Sequence, residues 1–319
     1  TTKRLPLFFT KGALFYAELN CRLLLVLLFK KCTALHANDL DTLPANYLAA
    51  KVKRKKLVYD SHEYFTEVPE LVNRPKIQKI WKKIEQILVP RVKYLFTVND
   101  SIAKLFQADY GVKFKVMRNA PRYTKIEPNI DNTTGTEPKV ILLQGAGINI
   151  QRGAEELVEA MQFVENAILR IVGSGDVVPF LKEEVVRMNL GGKVRFTDRV
   201  PFEELQKITS TAYIGCSLDK PTNINYELSL PNKLFDYIHA GVPVLASNLK
   251  EVAQIVNKFN VGILVNSHRP EEIAAQINAL INDENRHQVL VQNCLKAAPE
   301  LSWENEEKAL ISTYHSLLH

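Results

Sequence analysis

The sequence predicts an α/β protein of two domains, each a parallel sheet with helices on both sides. A length of 319 residues suits two domains of common size better than one. Short apolar runs alternate with segments of helical period almost throughout, and strands apolar on both faces belong to parallel sheets. The segment PRYTKIEPNIDNTTGTEPK, residues 121–139, is polar, holds three prolines and has no period, which marks a linker. Residues 1–121 then form a first domain, 122–138 the linker, 139–299 a second domain and 300–319 a terminal helix. Two domains joined this way face each other across a cleft.

In chain order the expected strands are TALHA (33–37), KLVYD (56–60), YLFTV (94–98), KVILLQGA (139–146), AILRIVG (167–173), KVRFT (193–197), AYIGCSL (212–218) and VPVLAS (242–247). Each is a short run rich in β-branched or aromatic residues. Between them, apolar residues recur at helical spacing near 15–31, 43–54, 76–89, 100–109, 153–164, 178–189, 203–209, 231–240 and 270–282.

Hydrophobic residues make up 46% of the chain and charged residues 24%, the composition of a soluble globular protein and not of a disordered one. The most apolar run, LLLVLLF at 23–29, lies between Arg22 and Lys30-Lys31. It is shorter than the roughly 20 residues of a spanning helix and reads as a buried or membrane-touching one. The four cysteines show no CxxC spacing and no HExxH is present. Reduced thiols in a cytoplasmic compartment are expected, with no metal site.

The net charge of +6 is unevenly placed. Residues 1–120 carry +12 and residues 121–319 carry −6. The basic residues concentrate in KVKRKK (51–56) and around RPKIQKIWKKIEQILVPRVK (74–93). In the latter, Ile77, Ile80, Trp81, Ile84, Ile87 and Leu88 repeat at helical spacing with Lys76, Lys79, Lys82 and Lys83 between them. The favoured reading is a helix packed on its apolar side with a solvated basic face. The sharper alternative is attraction to anionic lipid headgroups. No nucleic-acid motif accompanies the charge, so a nucleic-acid partner is not expected.

In open α/β sheets ligands bind beyond the carboxyl ends of the strands. There the second domain shows Gly145-Ala-Gly147 followed by Arg152-Gly153, and then Gly173-Ser-Gly175-Asp176. Glycines admit close backbone approach, and an arginine at a helix start favours an anion. Two such turns in successive units make nucleotide binding plausible, although glycine turns also serve merely to join strand to helix. Further on, NYELSLPNKLFDYIHAGVPVLAS (225–247) opens a short helix with Pro231 and Asn232 and ends it at Gly241. Leu234, Phe235 and Ile238 suit the core, while Asn232 and Asp236 share another side, with Lys233 adjacent. Free N–H groups and the Lys233 ammonium would hold a diphosphate, and Asp236 would accept hydrogen bonds from ribose. The bland alternative, a surface pair between Lys233 and Asp236, is slightly favoured when this helix is taken by itself.

This stretch closely resembles the donor-site signature of retaining GT-B glycosyltransferases of family four. The likeness extends to LLQGAGINIQRG, IVGSGD, KVRFTDRVPFEEL and the terminal WENEEKALISTY, and covers residues 30–319. It implies two Rossmann-like domains, with the C-terminal one holding a nucleotide-sugar and the N-terminal one the acceptor. It also implies a last helix, over 302–318, that crosses back to the first domain. By this resemblance Arg152 and Lys233 neutralise the donor diphosphate and Asp236 binds ribose. Gly145, Gly147, Gly173, Gly175, Glu227, Pro231 and Asn232 complete the donor site. His62, in YDSHEYF, matches a histidine that meets the transferred sugar, although a lone histidine is by itself more often structural.

The chain departs from the family pattern at three places. Of two glutamates separated by seven residues, the second is Asp236 and the first is replaced by Leu228, with Glu227 one position away. Ala146 stands where a basic residue often follows the first glycine. The family's opening strand and glycine-rich loop have no counterpart before residue 30, so the first domain is expected to lack its start.

The function implied is metal-independent, cofactor-free transfer of a sugar from a nucleotide diphosphate to an acceptor hydroxyl with retention. Its setting would be polysaccharide, glycolipid or cell-surface glycan synthesis. The basic first domain suits a lipid-linked or anionic acceptor and peripheral association with an anionic membrane face. The rival readings are a nucleotide-sugar epimerase of the same fold and a non-catalytic nucleotide-sugar-binding module.

Overall fold

The computed structural model describes residues 4–125 and 138–318, so the expected linker lies largely outside the described residues. Two compact units are present. One takes in the chain through Arg118, with Asn223–Asn225 and the stretch from Glu306 onward; the other takes in Asn119–Thr222 and Tyr226–Asn305.

The first unit runs α1 (Gly12–Phe29), β1 (Ala34–Asn38), α2 (Leu43–Lys53), β2 (Lys56–Ser61), α3 (Pro69–Val72), α4 (Pro75–Leu88), β3 (Tyr94–Thr97), α5 (Asp100–Tyr110) and β4 (Lys115–Val116). Its sheet is parallel throughout, in the order β1-β2-β3-β4. Leu35, Ala37, Val58, Tyr59, Leu95 and Phe96 are buried on the strands. Leu43, Ala49, Ile102 and Phe106 are buried on the helices. Removing that apolar surface from water is the main source of stability. Asn99 starts α5 by accepting the Ile102 N–H at 2.9 Å, and Gly111, at φ 70°, ends it in the left-handed region.

Two expectations are met only in part in this unit. The apolar stripe of α4 is half packed: Trp81 is buried, Ile84 and Leu88 are half-buried and Glu85 is buried with them, while Ile77, Ile80 and Ile87 are exposed. Trp81 fills the packing site against Phe65 and against Tyr16 of α1, which leaves Ile77, Ile80 and Ile87 on the lysine side. The apolar run at 23–29 lies in a helix, as expected near 15–31, but its buried reading fails. α1 spans 18 residues, because ALFYA extends the apolar stretch before Arg22, and none of its residues is buried. By length and composition alone it could cross a membrane, a test that other apolar helices also pass.

The second unit runs β5 (Lys139–Gly145), α6 (Ala154–Ala160), β6 (Ala167–Gly173), α7 (Val178–Arg187), β7 (Val194–Thr197), α8 (Phe202–Ser210), β8 (Ile214–Ser217), α9 (Ile224–Glu227, of which Ile224 and Asn225 count with the first unit), α10 (Asn232–His239), β9 (Val244–Ser247), α11 (Lys250–Phe259), β10 (Gly262–Val265), α12 (Pro270–Asn282) and α13 (Glu284–Ala297). Of these, α9, α11, β10 and α13 were not among the expected elements. The parallel sheet has the order β10-β9-β8-β5-β6-β7. This is the doubly wound order, which reverses between β5 and β8. Alternation along β5 sends Ile141 and Leu143 into one core with α6, α7 and α12, and Leu142 into another with α10 and α11. Helices therefore cover both faces.

The terminal helix α14 (Trp303–Leu318) belongs to the first unit from Glu306 onward. There Glu306 pairs with Arg118 at 3.0 Å, Thr313 accepts from Lys115 at 2.8 Å, and the Tyr314 hydroxyl lies 2.7 Å from His36 Nδ1.

Candidate functional site

The reversal of strand order between β5 and β8 opens the sheet's carboxyl edge at one place, and the loops after these two strands meet there. The turn after β5 is fastened to the turn after β6. Ile148 N–H donates to Ser174 O at 3.0 Å, Ser174 N–H to Gly145 O at 3.2 Å, and Ile150 N–H to Asp176 Oδ1 at 3.0 Å. The glycines divide into two kinds. A Cβ on Gly173, at φ 131°, would come within 1.9 Å of Gly145 O, and one on Gly175 within 2.0 Å of Ile148 O. These two therefore bring backbone against backbone in the direction a side chain would take. Gly145 and Gly147 have only ordinary contacts at 3.7 Å or more around such a Cβ.

The turn before α6 is pressed on the turn after β8. Gly153, at φ 73°, stands where a Cβ would be 2.2 Å from Leu218 O, and Lys220 N–H donates to Gln151 O at 3.0 Å. This contact sets Arg152 beside Asp219, with Nη1 to Oδ2 at 3.3 Å, and the guanidinium lies 4.8 Å from the centre of the Tyr226 ring. Asp219 is 1% exposed, and its Oδ1 is buried without a partner, as is Arg152 Nε.

α10 delivers the second cation. Leu234, Phe235, Tyr237 and Ile238 are buried, as the spacing predicts, and Pro231 precedes the first turn in extended backbone with no side-chain cap. The Tyr237 hydroxyl accepts the Gln144 N–H at 3.2 Å and lies 3.2 and 3.3 Å from Leu142 O and Cys216 O, which pins the helix across β5 and β8. Lys233, half-buried, belongs with Arg152, Asp219 and Cys216. Burial pulls its ammonium below the ordinary lysine range, Asp219 opposes that, and Arg152 adds to it. Burial raises the Cys216 thiol to about 12, against the pull of Lys233, so it stays a neutral packing group.

Asp236 lies elsewhere on α10. Among the described residues it forms no ion pair with Lys233; its Oδ2 accepts from Gln144 Nε2 at 3.3 Å. Burial raises its carboxyl to about 6, with the Gln144 hydrogen bond opposing. It lines a cavity of 380 Å³ with Gln144, Thr209, Arg122, Lys207 and Phe202. The surface pair considered from sequence is thus replaced by an inward-facing carboxylate. Asn232 and Glu227 are exposed, and Leu228 is buried.

His62 belongs to the first unit, just past β2. Its Nε2 lies 3.4 Å from Asp60 Oδ2, and its N–H donates to Asp39 Oδ1 at 2.8 Å. His36 Nε2 lies 3.7 Å from the same Asp60 oxygen. Hydrogen bonding to Asp60 raises His62 above its ordinary value, with burial opposing. Asp60 is pushed up by burial, but the two histidines outweigh this and hold it at about 2.

Asp219, Gln144 and Asp60 were missed in the sequence. Asp219 had a usable signal, since it lies two residues past a strand's carboxyl end. Among the described residues no cluster of three or more His, Cys, Asp or Glu is arranged to hold a metal ion.

Residues 138–283 match a family model described as glycosyl transferases group 1. An uncharacterized glycosyltransferase of Methanocaldococcus jannaschii is 28% identical over 184 residues, covering 56% of this chain and 45% of the relative. A chitobiosyldiphosphodolichol beta-mannosyltransferase of Candida albicans is 22% identical over 293 residues, covering 83% of this chain and 62% of the relative. The chain therefore spans less than two thirds of the length of either. Among solved structures, HepE of Anabaena in complex with UDP aligns with a TM-score of 0.76 at 17% identity, over 96% of this chain and 84% of that one. Sucrose-phosphate synthase from Thermosynechococcus elongatus aligns with a TM-score of 0.78 at 16% identity, over 96% and 81%. At such identities the structural likeness speaks for the fold. The chain thus has the two-domain, parallel-sheet α/β fold of GT-B structures, and its residues 138–283 match the glycosyl transferases of group 1.

Proposed function

We propose that the protein is a retaining glycosyltransferase that moves a sugar from a nucleoside diphosphate to an acceptor hydroxyl. The observation that carries this reading is the meeting of Arg152 and Lys233 at the switch between β5 and β8. In the transfer, the bond from the anomeric carbon to the diphosphate oxygen breaks and one to the acceptor oxygen forms. The acceptor's proton passes to the departing diphosphate. Negative charge grows on that diphosphate, and Arg152, Lys233 and the N–H groups opening α10 are fixed where they lower its energy. These charges do the work a divalent metal does elsewhere, so the reaction needs none. Asp236 takes the ribose hydroxyls, and His62 orients the transferred sugar.

HepE of Anabaena has been solved with UDP and with UDP-glucose, which supports a nucleotide-sugar as the donor class. The name of the Candida relative, a chitobiosyldiphosphodolichol mannosyltransferase, favours a lipid-linked acceptor in glycan synthesis. Exposed Ile77, Ile80 and Ile87 beside the lysines of α4 suit a protein working at the cytoplasmic face of an anionic membrane. Liposomes of acidic lipid should pellet the protein, and failure to pellet removes this placement.

The central test is a screen of nucleotide-sugars for thermal stabilisation, followed by turnover with the best ligand. Arg152→Ala with Lys233→Ala should nearly abolish turnover, with far-ultraviolet circular dichroism showing that the variant is still folded although Asp219 has lost its partner. Near-normal turnover in that double variant rejects the assignment. Conversion of the donor to an epimer without acceptor would point to an epimerase instead.

A further inference from the structure

The diphosphate site contains a carboxylate of its own. Asp219 is 1% exposed, holds Arg152 Nη1 at 3.3 Å through Oδ2, and leaves Oδ1 buried without a partner. Its position is fixed on both sides. Gly153 is pressed on Leu218 O, Lys220 N–H donates to Gln151 O, and Thr222 Oγ1 donates to Gln151 Oε1 at 2.7 Å. A buried carboxylate oxygen with no donor is unfavourable unless a charge or ligand compensates. Beside a site for an anion, a fixed negative charge also looks counterproductive.

We propose that Asp219 is the resident counter-ion of the diphosphate site, a positioning residue that holds Arg152 in place and weakens diphosphate binding enough for the product to leave. Two cations alone would hold a diphosphate tightly and repel each other while the site is empty. With Asp219 paired to Arg152 and acting on Lys233, the empty site carries one net positive charge, Arg152 is aimed by its partner, and the bound product meets a carboxylate. The inference rests on the diphosphate reading of Arg152 and Lys233. The groups that act on Lys233 are Asp219, Arg152 and Cys216. Of these Asp219 is the larger influence that favours the ammonium, and burial holds the Cys216 thiol neutral. Removing its charge should therefore let Lys233 lose its proton at lower pH.

Asp219→Asn tests this, because the amide keeps the shape and an acceptor for Arg152 while removing the charge. Binding of UDP and of inorganic pyrophosphate is followed by calorimetry from pH 6 to 10 for the wild type, D219N and R152A/K233A. D219N should bind about fivefold more tightly at pH 6–7 and lose binding at lower pH than the wild type, so that the two curves cross; its turnover should become more sensitive to inhibition by UDP. Parallel weakening at every pH would mean a merely structural residue, and superimposable curves would mean no role; either overturns the proposal. If the wild type binds neither probe, or R152A/K233A binds them as the wild type does, the diphosphate reading itself fails, a result separable from failure of the Asp219 inference.

Discussion

Gly215 of β8 lies under the Tyr237 ring of α10 so closely that a Cβ at residue 215 would come within 2.3 Å of the ring. The contact lets the Tyr237 hydroxyl reach Gln144, Leu142 and Cys216, and it fixes where the first turn of α10 presents Lys233. Gly215→Ala should push the helix outward and cost about 1–3 kcal/mol by overpacking. Tyr237→Phe should keep the packing but strand the Gln144 N–H, at a cost of about 1–3 kcal/mol. Urea unfolding of the free protein measures both, and an unchanged midpoint in G215A would contradict the contact.

The glycine turns make a prediction opposite to their appearance in the sequence. Gly173 and Gly175 are required by the protein's own backbone, at 1.9 and 2.0 Å from any added Cβ, whereas Gly147 has room. Gly173→Ala should destabilise by roughly 2–4 kcal/mol, from steric overlap joined to a strained φ. Gly147→Ala should unfold like the wild type, and its effect, if a donor approaches there, should fall on nucleotide affinity. Calorimetric melting beside ligand titration separates the two, and a G147A variant less stable than G173A would reverse this division.

What the sequence disclosed follows from how local each signal is. The parallel strands and α10 were legible because their apolar period is written in consecutive residues, and Leu234, Phe235 and Ile238 fall where the spacing puts them. β10 was missed although VGILV, residues 261–265, is a short β-branched apolar run like those read as strands elsewhere. The stripe on α4 misled in part, since a helical period tells that one face is apolar and not which residues find a partner; Trp81, with Ile84 and Leu88 beside it, took that place. The pair of Arg152 with Asp219 spans 67 positions and exists only because strand order reverses between β5 and β8. Motif spacing cannot encode such a contact.

Asp236 stands in conflict between stability and binding. Its carboxyl is raised to about 6, against an ordinary 3.8, mainly by burial. The folded state therefore holds the proton more firmly than the unfolded one. Stability is lost as pH rises from the ordinary value through 6, and above that the ionised group is a standing cost. Asp236→Asn should be more stable than the wild type by about 1–2 kcal/mol at pH 7.5 and show little gain at pH 4. Its nucleotide-sugar affinity should drop at least tenfold if ribose sits there. Denaturant unfolding at both pH values, with titration of UDP, reads the two effects; equal stability of the variant and wild type at pH 7.5 would argue against a strained carboxylate.

His62 has the opposite sign. Asp60 raises its pKa, so protonated His62 adds stability that is fully present below its ordinary 6.5 and is lost as pH rises through the folded value. Asp60 in turn is held at about 2, and its contribution, present above 3.8, fades only as pH falls through 2. Asp60→Asn removes the negative charge that both His36 Nε2 and His62 Nε2 approach. The His62 ring, followed by NMR, should then titrate at lower pH than in the wild type. Because the His62 N–H remains tied to Asp39, the backbone should keep its place, and the shift will report charge and not unfolding. Turnover should fall as well, with the larger loss in kcat if His62 orients the sugar only during transfer. A titration of His62 unmoved by the substitution would show that Asp60 does not control it.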